Sequence, residues 1–297
     1  MIEFADFDVQ DTPRYLEHVR KCAQITDVLS PFMQLALKEM FRVKRGYAEG
    51  LCWTEGVYFG EEGYAVPAGD WRRTDWADVF RKHVPAGTRF LLVPSYAADM
   101  WRSQLGESIL AEETDPKEWD YILSTERMES FASKKLQSFR RKCRAFEREY
   151  DYSIEPITPQ IFPELREFHK AAEENIRQRH GESEYLELDD YEFYKALEYW
   201  EKLDHLFGFV VRVGGKIAAY NIDEVFDEIY SMGHFMKADY SYNGVNQFAY
   251  WYDAKSSLER GILIRNIMGV DDEGLRMFKE HLDPLVILKK YHVTYLP

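Results

Sequence analysis

The stretch FGFVVRVGGKIAAYNIDEV, Phe207–Val225, decides how this chain is read. Two runs rich in β-branched and aromatic residues flank Gly214-Gly215. Such a pair marks a tight hairpin, because both central residues of the favoured turn need positive φ. Downstream, EIYSMGHFM (228–236) reads as a third strand. After Asn243-Gly244 a helix begins at about Val245, with Phe248, Tyr252 and Leu258 recurring at roughly helical spacing. Gly261 ends it. ILIRNIM (262–268) reads as a buried strand, DEGLRMFKEHL (272–282) as a helix stopped before Asp283-Pro284, and LVILKKYHV (285–293) as the last strand. The order is hairpin, strand, helix, strand, helix, strand.

Residues 50–124 repeat that order more weakly. GLCWTEGVYFG (50–60) suggests a hairpin turning at Glu55-Gly56, and EGYAVP (62–67) a third strand. TDWADVFRKH (74–83) suggests a capped helix, TRFLLVP (88–94) a strand, SYAADMWRSQL (95–105) a helix and EWDYILS (118–124) a strand. Helices over about 13–23 and 31–42 precede this copy, the second with Ser30-Pro31 at its start. Helices over about 130–150, 160–179 and 190–203 precede the other. The expected organisation is α/β, with two tandem domains, 1–128 and 129–297, each a mixed sheet flanked by helices.

With 45% hydrophobic and 30% charged residues, the 297-residue chain is globular. Its formal net charge of −14 argues against general nucleic-acid affinity, although it leaves room for one local basic face. Cys22, Cys52 and Cys143 form no zinc or disulfide pattern, so no metal is expected and a reducing compartment is. The amino terminus, MIEFADFDVQD, lacks an apolar leader, and no apolar run nears the ~20 residues of a membrane span. A cytoplasmic location is the expectation.

SKKLQSFRRKCRAFEREY (133–150) is the clearest local charge feature. Leu136, Phe139, Cys143, Phe146 and Tyr150 make one apolar stripe. Lys134, Arg141 and Arg148 lie seven apart on the face opposite, flanked by Lys135, Arg140, Lys142 and Arg144. Such a face is either solvated and balanced by acidic neighbours, or a contact surface for phosphate or carboxylate.

The turn at Asn243, Gly244 and Val245 opens a helix, where free backbone N–H groups favour anions. It either cradles a donor phosphate, with Lys237 adding charge, or simply makes the turn. His234 is a candidate general base, against a structural strand histidine. Asp223, Glu224, Asp227 and Glu228 read as a solvated loop. Arg276 and Lys279 share a helix face near Asp271, as an anion-binding or a surface pair. No GxSxG, GxGxxG, P-loop or HExxH occurs, which removes support from hydrolase, kinase and dehydrogenase readings.

The element order resembles the GNAT-type acetyltransferase fold, and two copies in tandem resemble the group that includes the Fem peptidoglycan aminoacyltransferases. Closer still, the chain is similar to the carboxy-terminal domain of phosphatidylglycerol lysyltransferase. The segments at residues 119–152, 208–222, 233–251 and 266–284 carry this, the last as NIMGVDDEGLRMFKEHLDP. The resemblance implies acyl or aminoacyl transfer from coenzyme A or tRNA to a small-molecule amine or hydroxyl acceptor. It implies a donor cleft in the second copy and site positions at Lys237, Gly244, Asn266, Asp271, Arg276 and Lys279. Gly244 is followed by Val245, where the acetyltransferase loop QxxGxG/A has a second small residue. A non-catalytic module that binds an anionic ligand therefore stands as the alternative, as does tRNA binding through Lys134, Arg141 and Arg148.

Overall fold

The computed structural model describes residues 2–58, 60–181, 184–270 and 272–297. The chain begins with α1 (Thr12–Val19) and α2 (Pro31–Leu37), then β1 (Lys44–Ala48), β2 (Leu51–Tyr58) and β3 (Glu61–Ala65). It continues through α3 (Trp76–His83), β4 (Arg89–Pro94), α4 (Ser95–Leu105), β5 (Ile109–Glu113) and β6 (Asp120–Ser124). Next come α5 (Thr125–Ser130), α6 (Gln137–Glu149), β7 (Tyr152–Pro156), α7 (Phe162–His180) and α8 (Glu184–Tyr199). The last third is β8 (Leu206–Val213), β9 (Lys216–Val225), β10 (Tyr230–Ala238), α9 (Val245–Glu259), β11 (Ile264–Asn266), α10 (Glu273–His281), β12 (Val286–Leu288) and β13 (Lys290–Tyr295).

Two mixed sheets result, ordered β1-β2-β3-β4-β13-β5 and β12-β6-β11-β10-β9-β8-β7. Each contains a run of antiparallel strands joined to the rest by one parallel pair, β3 with β4 and β10 with β11. The repeat read from sequence is therefore present, with one change. EWDYILS was expected to finish the first copy, but β6 lies between β11 and β12 in the second sheet. The end of LVILKKYHV was expected to finish the second copy, but β13 lies between β4 and β5 in the first. The compact units accordingly part elsewhere than residue 128: one is 1–120 with 268–270 and 287–297, the other 121–267 with 271–286.

Local chemistry explains most elements. Gly214 and Gly215 take φ of 57° and 79°, and Val213 faces Lys216 across the two-residue turn. In the first copy the turn is Glu49-Gly50, φ 53° and 73°, not Glu55-Gly56, which lies inside β2. Ser30 accepts the backbone N–H of Met33 at 2.9 Å and Pro31 takes the first helical position, as expected. The basic helix expected over 130–150 is interrupted. Phe131 is left-handed at φ 53°, and Lys134–Leu136 form a 3-10 turn before α6 starts.

In the first unit, Trp76, Phe80 and Phe90 converge on Trp101, with ring centroids 4.9–5.5 Å away. In the second, β9 is buried from Ile217 to Glu224, on both faces. Phe146 of α6 packs on Phe248 of α9 at 4.8 Å, and Tyr152 meets the same ring at 4.6 Å. The stripe of α6 is thus consumed by packing, each full aromatic burial being worth about 1.5–3 kcal/mol.

Candidate functional site

The second unit holds every described candidate residue, and its geometry turns on β10. This strand pairs with β11 at Tyr230, Ser231 and Met232 only, then runs on to Ala238 along β9. The two parallel strands therefore part after Met232. At the parting the β9–β10 register slips between Gly233 and Phe235, making a bulge at His234. Bulges bend a strand and redirect its groups, and they are over-represented beside active sites. Asn266, the end of β11, is buried there opposite Met232 and Ile122.

His234 is partly exposed as a residue, yet its side chain is only 1% exposed, so the exposed atoms are main chain. The imidazole Nε2 lies 3.0 Å from Glu224 Oε2, and His205 Nε2 lies 3.1 Å from Glu224 Oε1. The candidate base therefore faces inward. Burial pushes the Glu224 carboxyl up, but hydrogen bonds from His205 and His234 outweigh it and bring its pKa down to about 2. For His205, burial works downward and Glu224 overcomes it, leaving the ring above its ordinary value.

Asp223 and Glu224 are not in a solvated loop. Both are fully buried in β9, and as neighbours on a strand they point to opposite faces. Asp223 accepts from Arg265 Nη2 at 3.0 and 2.9 Å. Arg265 also pairs with Asp253, and Asn221 Nδ2 donates to Asp223 at 3.0 Å and to Asp253 at 3.1 Å. Burial, with Asp223 adding to it against the pull of Arg265, raises the Asp253 carboxyl well above its usual range. Gly233 makes room for this network: a Cβ there would lie 3.1 Å from Arg265 Nη2.

Lys237 has its charge engaged within the protein. Its Nζ is 2.6 Å from Glu173 of α7 and 2.7 Å from Asp189 of α8. Beside it, His169 sits 2.7 Å from the Tyr220 hydroxyl and 3.1 Å from Asp190, stacked on Phe193 at 3.7 Å. Burial and the Lys237 charge lower His169 to about 4, so the ring is neutral near pH 7.

The glycine at the mouth of α9 has a steric explanation. Gly244 is left-handed at φ 81° and buried, and a Cβ there would lie 2.2 Å from the Lys142 carbonyl oxygen of α6. Asn243 adds to the joint, its N–H donating to the Tyr150 hydroxyl at 3.1 Å and its Nδ2 reaching Glu149 at 3.4 Å. Val245 is buried behind them. What approaches this backbone is a helix of the same unit rather than a phosphate.

At the chain's end, Arg276 pairs with Glu273 and, at 2.7 Å, with Glu280. Lys279 is buried and donates to the Ile267 carbonyl at 2.5 Å. The two do not form a free anion-binding pair. Asp271 lies outside the described residues.

The outer face of α6 differs. Lys134, Arg140, Arg141, Lys142 and Arg148 are exposed, and among the described residues none has an ion-pair partner within 4.0 Å. Only Arg144, with Glu147 at 2.6 Å, and Lys135, with Asp283 at 3.4 Å, are paired. Of the two sequence readings, balance by acidic neighbours finds few ion pairs on this face among the described residues.

Sequence reasoning missed His169, Glu173, Asp189, His205, Asp253 and Arg265. Two carried a signal. Arg265 stands inside the apolar run ILIRNIM, and Asp253 follows the aromatic run FAYWY on a buried helix. A charge in either place requires a buried partner.

Two tandem GNAT-like units, each a mixed sheet flanked by helices, define the class of protein. The chain belongs to the family described as phosphatidylglycerol lysyltransferase, C-terminal, whose model matches residues 67–294. Among solved structures, a conserved protein of unknown function from Bacteroides thetaiotaomicron superposes with a TM-score of 0.85 at 23% identity, over 99% of this chain and 100% of that one. L-PGS from Bacillus licheniformis matches at 0.62 and 12% identity, over 98% and 94%. FemX matches at 0.63 and 8%, over 99% and 95%. No curated protein matches the sequence significantly. Among the described residues no helix is long and apolar enough to cross a membrane.

Proposed function

We propose that the chain is an aminoacyltransferase, moving an aminoacyl group from a carrier ester or thioester to an amine or hydroxyl. The parting of β10 from β11 after Met232 carries this reading. Beyond it β10 runs on to Ala238 without β11 in its ladder, and an extended donor laid along that stretch would follow the strand's direction. The acceptor attacks the activated carbonyl directly. One acceptor C–N or C–O bond forms, the carrier's C–O or C–S bond breaks, and the acceptor proton passes to the leaving group through solvent. The strand supplies position and N–H groups for the developing oxyanion rather than a covalent nucleophile.

Between carriers, the unpaired cations of α6 favour tRNA over coenzyme A. The helix is 13 residues long, hence ~20 Å, which matches several successive phosphates better than one nucleotide. The stretch of β10 beyond Met232 is the first place to look for a bound ester.

The test follows label from a panel of aminoacyl-tRNAs and acyl-CoAs into amines, hydroxyl compounds and phosphatidylglycerol vesicles, with calorimetry for binding. Transfer above the protein-free rate from an aminoacyl-tRNA supports the proposal. Binding of neither donor class defeats it. A second reading, an anion-binding module without turnover, is favoured by the inward-facing His234 and the internally paired Lys237. Donor binding with no transfer would select it.

A further inference from the structure

The bulge at His234 is held from within by one carboxylate. Glu224 has no exposed side-chain surface, and its two oxygens each meet a different histidine. One is His234 on β10, at 3.0 Å; the other is His205, just ahead of β8, at 3.1 Å. Glu224 itself belongs to β9, opposite Met232 on one side and Leu206 on the other. Three neighbouring strands are thus tied across their ladder at the level where β11 departs. The atoms that His234 leaves exposed at that level are main chain, because the side chain is turned in to Glu224.

A bulge is a local departure from ladder geometry, and its backbone can settle in more than one arrangement unless side chains fix it. Here a charge-assisted pair does so, and such pairs are short and directional. We propose that Glu224, with His205 as its second anchor, is a positioning residue that fixes the main chain of Gly233–Phe235 for the donor. The role rests on the reading that this strand edge takes the donor; the clamp itself does not. Glu224 never touches substrate in this scheme. It acts through the His234 backbone, and His205 acts through Glu224.

The experiment uses the full chain in three forms: wild type, Glu224→Gln and His205→Gln. Glutamine keeps the shape of Glu224 but removes the charge that both histidines share. Amide hydrogen exchange reads the clamp directly. Exchange at residues 233–235 should quicken at least tenfold in both variants, with residues 217–222 of β9 unchanged. Equal exchange at the bulge in all three forms overturns the clamp, whether or not any donor binds. Calorimetry and transfer with the best donor then read its purpose. Donor KM should rise about tenfold in Glu224→Gln and kcat should fall with it, because the same main chain positions the donor and faces the oxyanion; general destabilisation would instead lower the amount of active protein at unchanged KM. Loosened exchange with an unchanged donor KM overturns the positioning role. If wild-type protein binds no donor, the functional reading fails, and the exchange data still decide the clamp. Should Glu224→Gln fail to fold, His205→Gln carries the same readouts from the partly exposed end of the chain of bonds.

Discussion

Replacing Gly244 by alanine separates two explanations for that residue. The added Cβ would sit 2.2 Å from the Lys142 carbonyl oxygen, and backbone on both sides leaves no flexible end to yield. Left-handed backbone costs a non-glycine residue roughly 1–2 kcal/mol. Overpacking against a fixed neighbour adds about 1–3 kcal/mol. The expected loss is therefore about 2–5 kcal/mol, or roughly 10 °C in Tm at ~2–4 °C per kcal/mol. The control is Gly215→Ala in the same unit. Gly215 has nearly the same φ, 79° against 81°, but nothing within 4 Å of its Cβ position. It should lose only the backbone part, about 1–2 kcal/mol. Thermal and urea unfolding of the three proteins give the comparison. If Gly244→Ala and Gly215→Ala lose the same amount, the close approach of α6 to the mouth of α9 is wrong. A phosphate cradle would then regain its claim on Gly244.

Arg265→Met leaves Asp223 and Asp253 buried without their shared cation, and urea unfolding should show about 3–5 kcal/mol of lost stability. A loss under about 1 kcal/mol would mean that the network is solvated in solution. Arg141→Glu with Arg148→Glu should leave the unfolding free energy within about 0.5 kcal/mol of wild type. The pair should lower the salt dependence of tRNA binding by about one unit of log–log slope for each cation removed, and an unchanged slope would exclude that face. For pH, Glu224 has a folded pKa depressed to about 2, so its stabilisation is present above its ordinary value of 4.5 and is lost as pH falls toward 2. His205 is raised, so its share is full below its ordinary 6.5 and is lost as pH rises through the higher folded value. Tm against pH for Glu224→Gln should lose the acid limb of that dependence; an acid limb identical to wild type would contradict the assignment.

Much of this fold is local and was legible. Gly214-Gly215 and the Ser30-Pro31 start each act within four residues, so sequence alone places them. Choosing between Glu49-Gly50 and Glu55-Gly56 is different. Both are Glu-Gly pairs beside β-rich runs; the second lies inside β2, where a Cβ on Gly56 would come 3.0 Å from the Phe41 carbonyl and the Tyr58 ring, contacts that sequence does not reveal. Strand order in the sheets was not legible, since β13 meets β4 and β5 nearly 200 residues after them. For the candidate site, the sequence offers positions but not the partners that meet them. His234 and Lys237 lie on β10 and Gly244 opens α9, but the groups that meet them come from α6, α7, α8 and β9. What each side chain does is set by those partners, none of which periodicity reveals.

The traded strands give the molecule a property that its two-copy sequence conceals. Cutting the polypeptide at residue 128 would leave β6 on the first fragment and β13 on the second, each parted from its own sheet, removing an interior member from both. Neither fragment would be a self-sufficient module. Expressed together they would have to restore one another, and any ancestral duplication must have been followed by mutual dependence. Truncated versions meant to isolate the second unit need β6 included, beginning no later than Asp120.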